Sequence, residues 1–175
     1  MGKCKADLPW SGTTLIDFLV QKLCKEGFPD IILSGYTGHI DGARSVPDIF
    51  TGRGPLCGIH AGLSAAKNPV CLILSVDMPL IRPETLSGLI FSHLNQSNPV
   101  TVLEHNGQLE PLLGIYDKSI LSDAEKIIHE EHSSVKILFQ RCGYSKYSYN
   151  GDERFLMDCD TPEDYSALKK MEEYL

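Results

Sequence analysis

No apolar run in this sequence approaches the ~20 residues needed to span a bilayer; the longest, Val70 to Val76, has the length of a strand. The N-terminus carries no apolar segment of the kind a secretory signal has, so a cytoplasmic protein is expected, with no membrane partner. The cysteines, Cys4, Cys24, Cys57, Cys71, Cys142 and Cys159, include no C-x-x-C pair. The short repeated spacings of a zinc site or a disulfide framework are therefore missing, and free thiols in a reducing compartment are expected. Basic residues are in deficit, 16 against 23 acidic ones, for a formal charge of −7. That argues against a nucleic-acid partner, which calls for a basic footprint. It leaves room for a small anionic substrate held by a few lysines and backbone amides. With 15 glycines and 10 prolines the chain is neither collagen-like nor disordered in composition. What remains is 175 residues, 42% apolar and 22% charged, enough for one domain around one core.

Apolar periodicity predicts a helix over 13–26, capped by Ser11 or Thr13 and closed by Gly27. A short buried strand follows at 30–34, then a loop rich in Gly, Asp and Ser over 36–54. Small residues from Gly58 to Ala66 predict another helix. Val70–Val76 is continuously apolar, as suits a strand covered on both faces in a parallel sheet. Pro83 opens a helix to Leu94. Further strands are expected at 100–103, 113–116 and 144–149, and helices at 120–131 and 135–142. Thr161-Pro-Glu-Asp164 is a strong helix start, with a capping hydroxyl, proline at the first position and two carboxylates over the positive helix end. Strands alternating with helices predict a single three-layer α/β domain, a Rossmann-like sandwich with a mainly parallel sheet and Val70–Val76 near its centre. No repeat, low-complexity tract or linker interrupts it.

Chemistry concentrates in a few places. Ser75-Val-Asp77-Met-Pro79 puts a carboxylate at the C-terminal end of the most apolar strand, where open α/β sheets bind ligands. Asp77 there could hold Mg²⁺ with substrate phosphates, since Mg²⁺ usually takes only one or two protein carboxylates; it could equally form an Asx turn before Pro79. Asp158 and Asp160 precede the last helix. If Phe155-Leu-Met157 ends a strand, alternation puts both on one side, ready to complete a metal site or simply to start the helix. Gly52-Arg-Gly54-Pro-Leu-Cys-Gly58-Ile-His-Ala-Gly62 is a glycine-rich helix entry whose amides could face an anion or a base edge, or whose glycines could serve helix packing. Lys3 and Lys5 could pair with phosphate or be an ordinary solvated terminus. His129 and His132 are spaced i, i+3 rather than H-E-x-x-H, which suits a solvated helix end better than a metal pair.

Taken in order, these pieces resemble the molybdenum cofactor guanylyltransferase family. Met1-Gly-Lys-Cys-Lys5 is similar to the end of its nucleotide loop, L-A-G-G followed by R-M-G-x-D-K. Ile32-Leu-Ser34-Gly35 is similar to the end of its second strand, and Val46-Pro-Asp48 through Gly54-Pro-Leu-Cys-Gly58 to its D…G-P-L-x-G-I segment. Asp77-Met-Pro79 resembles its D-x-P metal motif, and Asp158-Cys-Asp-Thr-Pro-Glu-Asp164 its N/D-x-N/D-T-P-E-D. The resemblance implies a nucleotide-diphospho-sugar transferase type of fold and an Mg²⁺-dependent transfer of GMP from GTP to molybdopterin, with pyrophosphate released. It implies Lys5 on nucleotide phosphate, Ser34 and Asp48 in the guanosine pocket, Asp77 on Mg²⁺, with Asp158 and Asp160 as further metal candidates. Other cofactor-assembly proteins or target molybdoenzymes are the implied protein partners. Cytidylyl- and sugar-1-phosphate nucleotidyltransferases share several of the pieces, and a non-catalytic nucleotide- or molybdopterin-binding relative is a further alternative. Cys4 stands where the family has Asp, Ser34 where Asn is often found, and the family's first strand and L-A-G-G loop have no counterpart ahead of Met1. The expectation is that the reading frame continues upstream for roughly ten to twenty residues, encoding a strand and a glycine-rich turn.

Overall fold

The computed structural model describes residues 4–172; Lys3, a candidate phosphate partner, lies outside the described residues. The chain begins with a 3-10 turn over Lys5–Asp7 and a small antiparallel hairpin, β1 (Pro9–Trp10) and β2 (Thr13–Thr14). Helix α1 (Leu15–Lys25) is capped by Thr14, whose hydroxyl accepts from the Asp17 amide at 3.2 Å. Strand β3 (Ile32–Ser34) pairs in parallel with β4 (Arg44–Val46), a strand inside the stretch expected to be loop. Helix α2 (Pro55–Ala65) starts three residues ahead of Gly58, with Pro55 at its first position. Then come β5 (Val70–Leu74), α3 (Pro83–Leu94), β6 (Val100–His105) and β7 (Gln108–Asp117). Helices α4 (Leu121–His129) and α5 (Val135–Cys142) lead to β8 (Ser145–Ser148). A 3-10 turn, Glu153–Leu156, stands where a strand end was expected, because Asp152 caps it by accepting from the Arg154 amide at 3.0 Å. The last helix, α6 (Pro162–Glu172), has the expected start: the Asp164 amide donates to Thr161 Oγ1 at 3.1 Å, and the Thr161 amide to Asp164 Oδ2 at 2.8 Å.

The main sheet has the order β5-β7-β6-β8. It is mixed rather than mainly parallel: β7 runs antiparallel to both β5 and β6, while β6 and β8 are parallel. The cause is a tight turn at Asn106-Gly107, both at positive φ (+52° and +80°), which folds β6 directly back into β7 as a two-residue hairpin. Pro111 is tolerated in β7 because the pairing with β6 is irregular between Val102 and Leu103. Helices cover both faces. On one, α2, α4 and α5 pack Leu56, Ile59, Leu63, Ile127 and Leu138 against Val100, Val102 and Tyr116. On the other, Leu19 of α1 and Leu86 and Leu89 of α3 pack against Leu103, Leu113 and Ile115. At ~1.5–3 kcal/mol for each fully buried large apolar side chain, these two layers dominate stability. No helix is long and apolar enough to cross a membrane among the described residues.

Val70–Leu74 was expected near the centre of the sheet, and here the expectation needs correction. Among the described residues β5 is an edge strand, paired only with β7. Its residues are half-buried, and Val70 is 41% exposed. The pair β3-β4 forms a separate small sheet. Between β3 and β5 lies a largely apolar slot of about 720 Å³.

Candidate active site

Lys5, Asp77 and Asp160, distant in sequence, meet just beyond the end of β5. Lys5 Nζ donates to Asp77 Oδ2 at 3.2 Å and also to Asp160 Oδ1. Burial alone would lower the Lys5 pKa, but the hydrogen bonds to Asp160 and Asp77 outweigh it and hold the ammonium above the ordinary lysine value. Lys5 is therefore charged at neutral pH. Cys159 is buried while its neighbours Asp158 and Asp160 are exposed, so the two carboxylates share one side of the chain without a regular strand beneath them. Both line the same open cleft as Asp77, about 850 Å³ in volume. Partial burial, then the charges of Asp160 and Asp77, push the Asp158 pKa up.

Glu110 of β7 also lines this cleft and was missed by sequence reasoning. Burial raises its pKa, and the charges of Asp158 and Asp77 add to the effect. The overlooked signal is Asn106-Gly107, a strong short-range hairpin marker, which would have extended β7 back to include Glu110.

The opposite wall comes from Gly52–Pro55 and from 131–137, around the start of α5. Arg53 ties these segments together, its Nη1 donating to the Glu130 and Glu131 carbonyls, each at 3.3 Å. Gly54, at φ +68°, precedes α2 with no side-chain cap, Pro55 brings no N–H, and the Cys57 amide donates to the Gly54 carbonyl at 3.2 Å, so the first turn of α2 is closed on itself rather than opened to the cleft. Gly58 and Gly62, from the same glycine-rich stretch, line the slot between β3 and β5 instead. His132 borders the cleft, whereas His129 packs edge-on against Phe50 with centroids 5.0 Å apart.

Ser34 and Asp48 form a second pair, Ser34 Oγ donating to Asp48 Oδ1 at 2.6 Å. Gly35 makes that approach possible. Its φ is +70°, and a Cβ there would stand 3.3 Å from Asp48 Oδ2. No hydrogen bond joins this pair to the Lys5 cluster among the described residues, although Ser34 and Lys5 both line the slot.

Oxygen donors in this cluster suit a hard divalent cation. Two carboxylates, Asp77 and Asp160, already converge on one cationic group, Lys5 Nζ. Burial first, and the neighbouring carboxylates second, raise the pKa values of Asp158 and Glu110 beside them. Among the described residues no group of three His, Cys, Asp or Glu side chains closes into a metal cage. One or two carboxylates completed by substrate phosphates is the coordination Mg²⁺ commonly adopts. The residues present fit such an ion.

A family model described as the MobA-like NTP transferase domain matches residues 1–146. A protein named probable molybdenum cofactor guanylyltransferase, from Carboxydothermus hydrogenoformans, is 31% identical over 180 residues, covering 98% of this chain and 89% of that protein. One of the same name from Pelotomaculum thermopropionicum is 34% identical over 119 residues, 66% of this chain and 57% of its own length. This chain thus matches little more than half of that relative. Among solved structures, molybdopterin-guanine dinucleotide biosynthesis protein A from Archaeoglobus fulgidus superposes with a TM-score of 0.83 at 20% identity, covering 99% of this chain and 93% of that one. Rv0371c from Mycobacterium tuberculosis, solved in complex with manganese, gives a TM-score of 0.70 at 17% identity, covering 97% and 93%. At these identities the structures share a fold, the α/β fold of nucleotidyltransferases. By the matched family model and the relatives that align along its length, the chain belongs to the MobA-like NTP transferase domain family.

Proposed function

We propose that this nucleotidyltransferase carries GMP from GTP to the terminal phosphate of molybdopterin and releases pyrophosphate. The observation that carries this reading is Lys5 held between Asp77 and Asp160 at the rim of the cleft. A cation there can neutralise phosphate charge, and the adjoining carboxylates can share a divalent ion with a triphosphate. An acceptor phosphate oxygen attacks the α-phosphorus in line, the bond to the bridging oxygen breaks, and pyrophosphate leaves with that oxygen. Positioning and charge neutralisation are the main demands of such a step. Lys5 exchanges carboxylate partners for phosphate oxygens and stabilises the charge of the leaving pyrophosphate. Asp77 and Asp160, with Asp158 alongside, would hold Mg²⁺, which when bound supplies charge neutralisation for the transferred phosphoryl group. Ser34 and Asp48 would receive the base, Asp48 accepting from the N–H groups of guanine. Guanine is preferred to cytosine because the aligned relatives are named for guanylyl transfer.

The experiment is pyrophosphate release measured with GTP and CTP side by side, with molybdopterin and Mg²⁺ present. A clear preference for GTP is expected, and equal rates would overturn the guanylyl assignment. Tight molybdopterin binding with no Mg²⁺-dependent binding of GTP would identify a non-catalytic binder instead.

A further inference from the structure

The sequence contains two Asn-Gly pairs, Asn106-Gly107 and Asn150-Gly151. Such a pair is chemically labile, because glycine has no Cβ to keep its amide nitrogen away from the preceding asparagine side chain. The two pairs sit in opposite surroundings. Asn106-Gly107 is the turn of the β6-β7 hairpin, held at φ +52° and +80° between the paired residues His105 and Gln108. Asn106 Nδ2 lies 2.9 Å from His105 Nε2, and the Gly107 amide donates to the Glu104 carboxylate. Asn150-Gly151 lies just past β8, outside any helix or strand, and both residues are exposed. Neither the Asn150 side chain nor the Gly151 amide has a hydrogen-bond partner among the described residues.

The loop around Asn150 is closed at both ends. The Tyr149 amide donates to the Glu104 carbonyl at 2.9 Å, and Tyr149 Oη to the Asp152 carbonyl at 3.1 Å. The chain between curls against the ring. A Cβ at Gly151 would stand 2.5 Å from it, so glycine is the residue that fits there without moving Tyr149. Asp152 then caps the 3-10 turn Glu153–Leu156. Its carboxylate accepts from the Arg154 amide at 3.0 Å and its carbonyl from the Phe155 amide at 3.0 Å. That turn leads on to Asp158 and Asp160 at the cleft.

We propose that Asn150-Gly151 is a site of spontaneous covalent modification, at which the folded protein converts to isoaspartate while Asn106-Gly107 persists. The Gly151 amide nitrogen attacks Asn150 Cγ and gives up its proton. The Cγ–Nδ2 bond breaks, and Nδ2 leaves with that proton as ammonia, so that a cyclic imide remains. Water opens the imide. Attack at Cγ gives aspartate with the chain path intact; attack at the main-chain carbonyl gives isoaspartate, whose chain runs through Cβ and Cγ. Either product carries one more negative charge, and isoaspartate also lengthens the backbone by one atom. At Gly107 the attacking nitrogen must first give up a charge-assisted bond to Glu104, and the turn must leave its hairpin geometry. Gly151 is under neither constraint. The extra atom falls inside the span that the Tyr149 Oη bond to Asp152 closes, and so draws Asp152 off the Arg154 and Phe155 amides.

The test incubates the full folded chain at mildly alkaline pH and follows it by peptide mass mapping. Isoaspartate is counted with an isoaspartyl methyltransferase and a labelled methyl donor. The peptide containing Asn150 should take on the mass of an acid in place of an amide, and accept methyl groups, at least about tenfold faster than the peptide containing Asn106. Its rate should lie within about tenfold of that of the free peptide Tyr-Asn-Gly-Asp. Asn150→Ala should remove the methyl acceptor. In the aged parent, amide exchange at Arg154 and Phe155 should quicken by at least about tenfold. In freshly prepared Asn150→Asp, which carries the charge without the longer backbone, exchange there should stay at the parent rate. Asn106 converting as fast as Asn150, or Asn150 left intact when the free peptide has been consumed, overturns the proposal. Unchanged exchange at Arg154 and Phe155 in protein rich in isoaspartate overturns the loss of the Asp152 cap.

Discussion

Replacing Asp30 with asparagine should destabilise the fold by about 1–2 kcal/mol at neutral pH and by less in acid. Asp30 accepts from Arg44 twice, Nε at 2.9 Å and Nη2 at 3.0 Å, and from the Lys67 amide at 3.1 Å. Arg44 Nη2 also donates to the Ala65 carbonyl at 2.7 Å. One carboxylate thus clasps β3, β4 and the connection from α2 to β5. Its side chain is 8% exposed, and the Arg44 guanidinium holds its pKa at about 2. An unfolded aspartate titrates near ~3.9, so the unfolded chain takes up this proton at higher pH than the folded one. The contribution is therefore fully present above about pH 5, about half lost near pH 3, and gone below both values. A shift of this size corresponds to at most ~2.6 kcal/mol. Arg44 is 37% exposed, and solvent screening reduces the figure to about 1–2 kcal/mol. In a chain of this length that is roughly 3–6 °C in Tm. The assay is urea unfolding of the parent and Asp30→Asn proteins at neutral pH and near pH 3. The stability gap should roughly halve in acid. A gap unchanged between the two conditions, or below about 0.5 kcal/mol at neutral pH, would refute the reasoning.

Asp77→Asn should abolish Mg²⁺-dependent turnover while leaving Tm within about 1–2 °C of the parent; turnover at the parent rate would remove Asp77 from the metal site. Asp48→Ala removes the acceptor of Ser34 and should raise KM for GTP by about tenfold, one hydrogen bond to a charged group, with little change in kcat; steady-state kinetics at saturating acceptor reads this split. Gly107→Ala forces a Cβ into the left-handed region at φ +80° and should cost about 1–2 kcal/mol, measured by urea unfolding.

Several elements were legible because their signals are local. Helix α3 starts at Pro83 and α5 ends before Gly143, at the residues where proline and glycine belong. Thr161 and Asp164 form the capping arrangement their spacing announces. Strand β4 was not legible, since Arg44-Ser-Val46 is too short for a period and becomes a strand only by pairing with Ile32–Ser34. The sheet's mixed direction was legible in principle, from Asn106-Gly107 alone. At the site, Asp158 and Asp160 could be placed on one side by alternation around Cys159. That Asp160 rather than Asp158 shares Lys5 with Asp77 depends on contacts across 72 and 155 residues, which no local pattern encodes.

Strand β5 shows how a sequence can state a requirement that the described residues do not meet. Val-Cys-Leu-Ile-Leu has no polar alternation, the composition of a strand with neighbours on both edges and helices on both faces. Strand β6, which has β7 and β8 beside it, shows the consequence of such an environment: Val100, Val102 and Leu103 are fully buried. In β5 the layers above and below are present, yet Cys71–Leu74 are only half-buried because one lateral neighbour is lacking among the described residues. An edge strand that must remain unpaired is ordinarily protected by charge, proline or a bulge. Val70–Leu74 has none of these. The misplacement of β5 at the sheet centre therefore does not come from misreading its side chains. Their pattern suits a strand with two lateral partners, and among the described residues β7 is the strand that pairs with it.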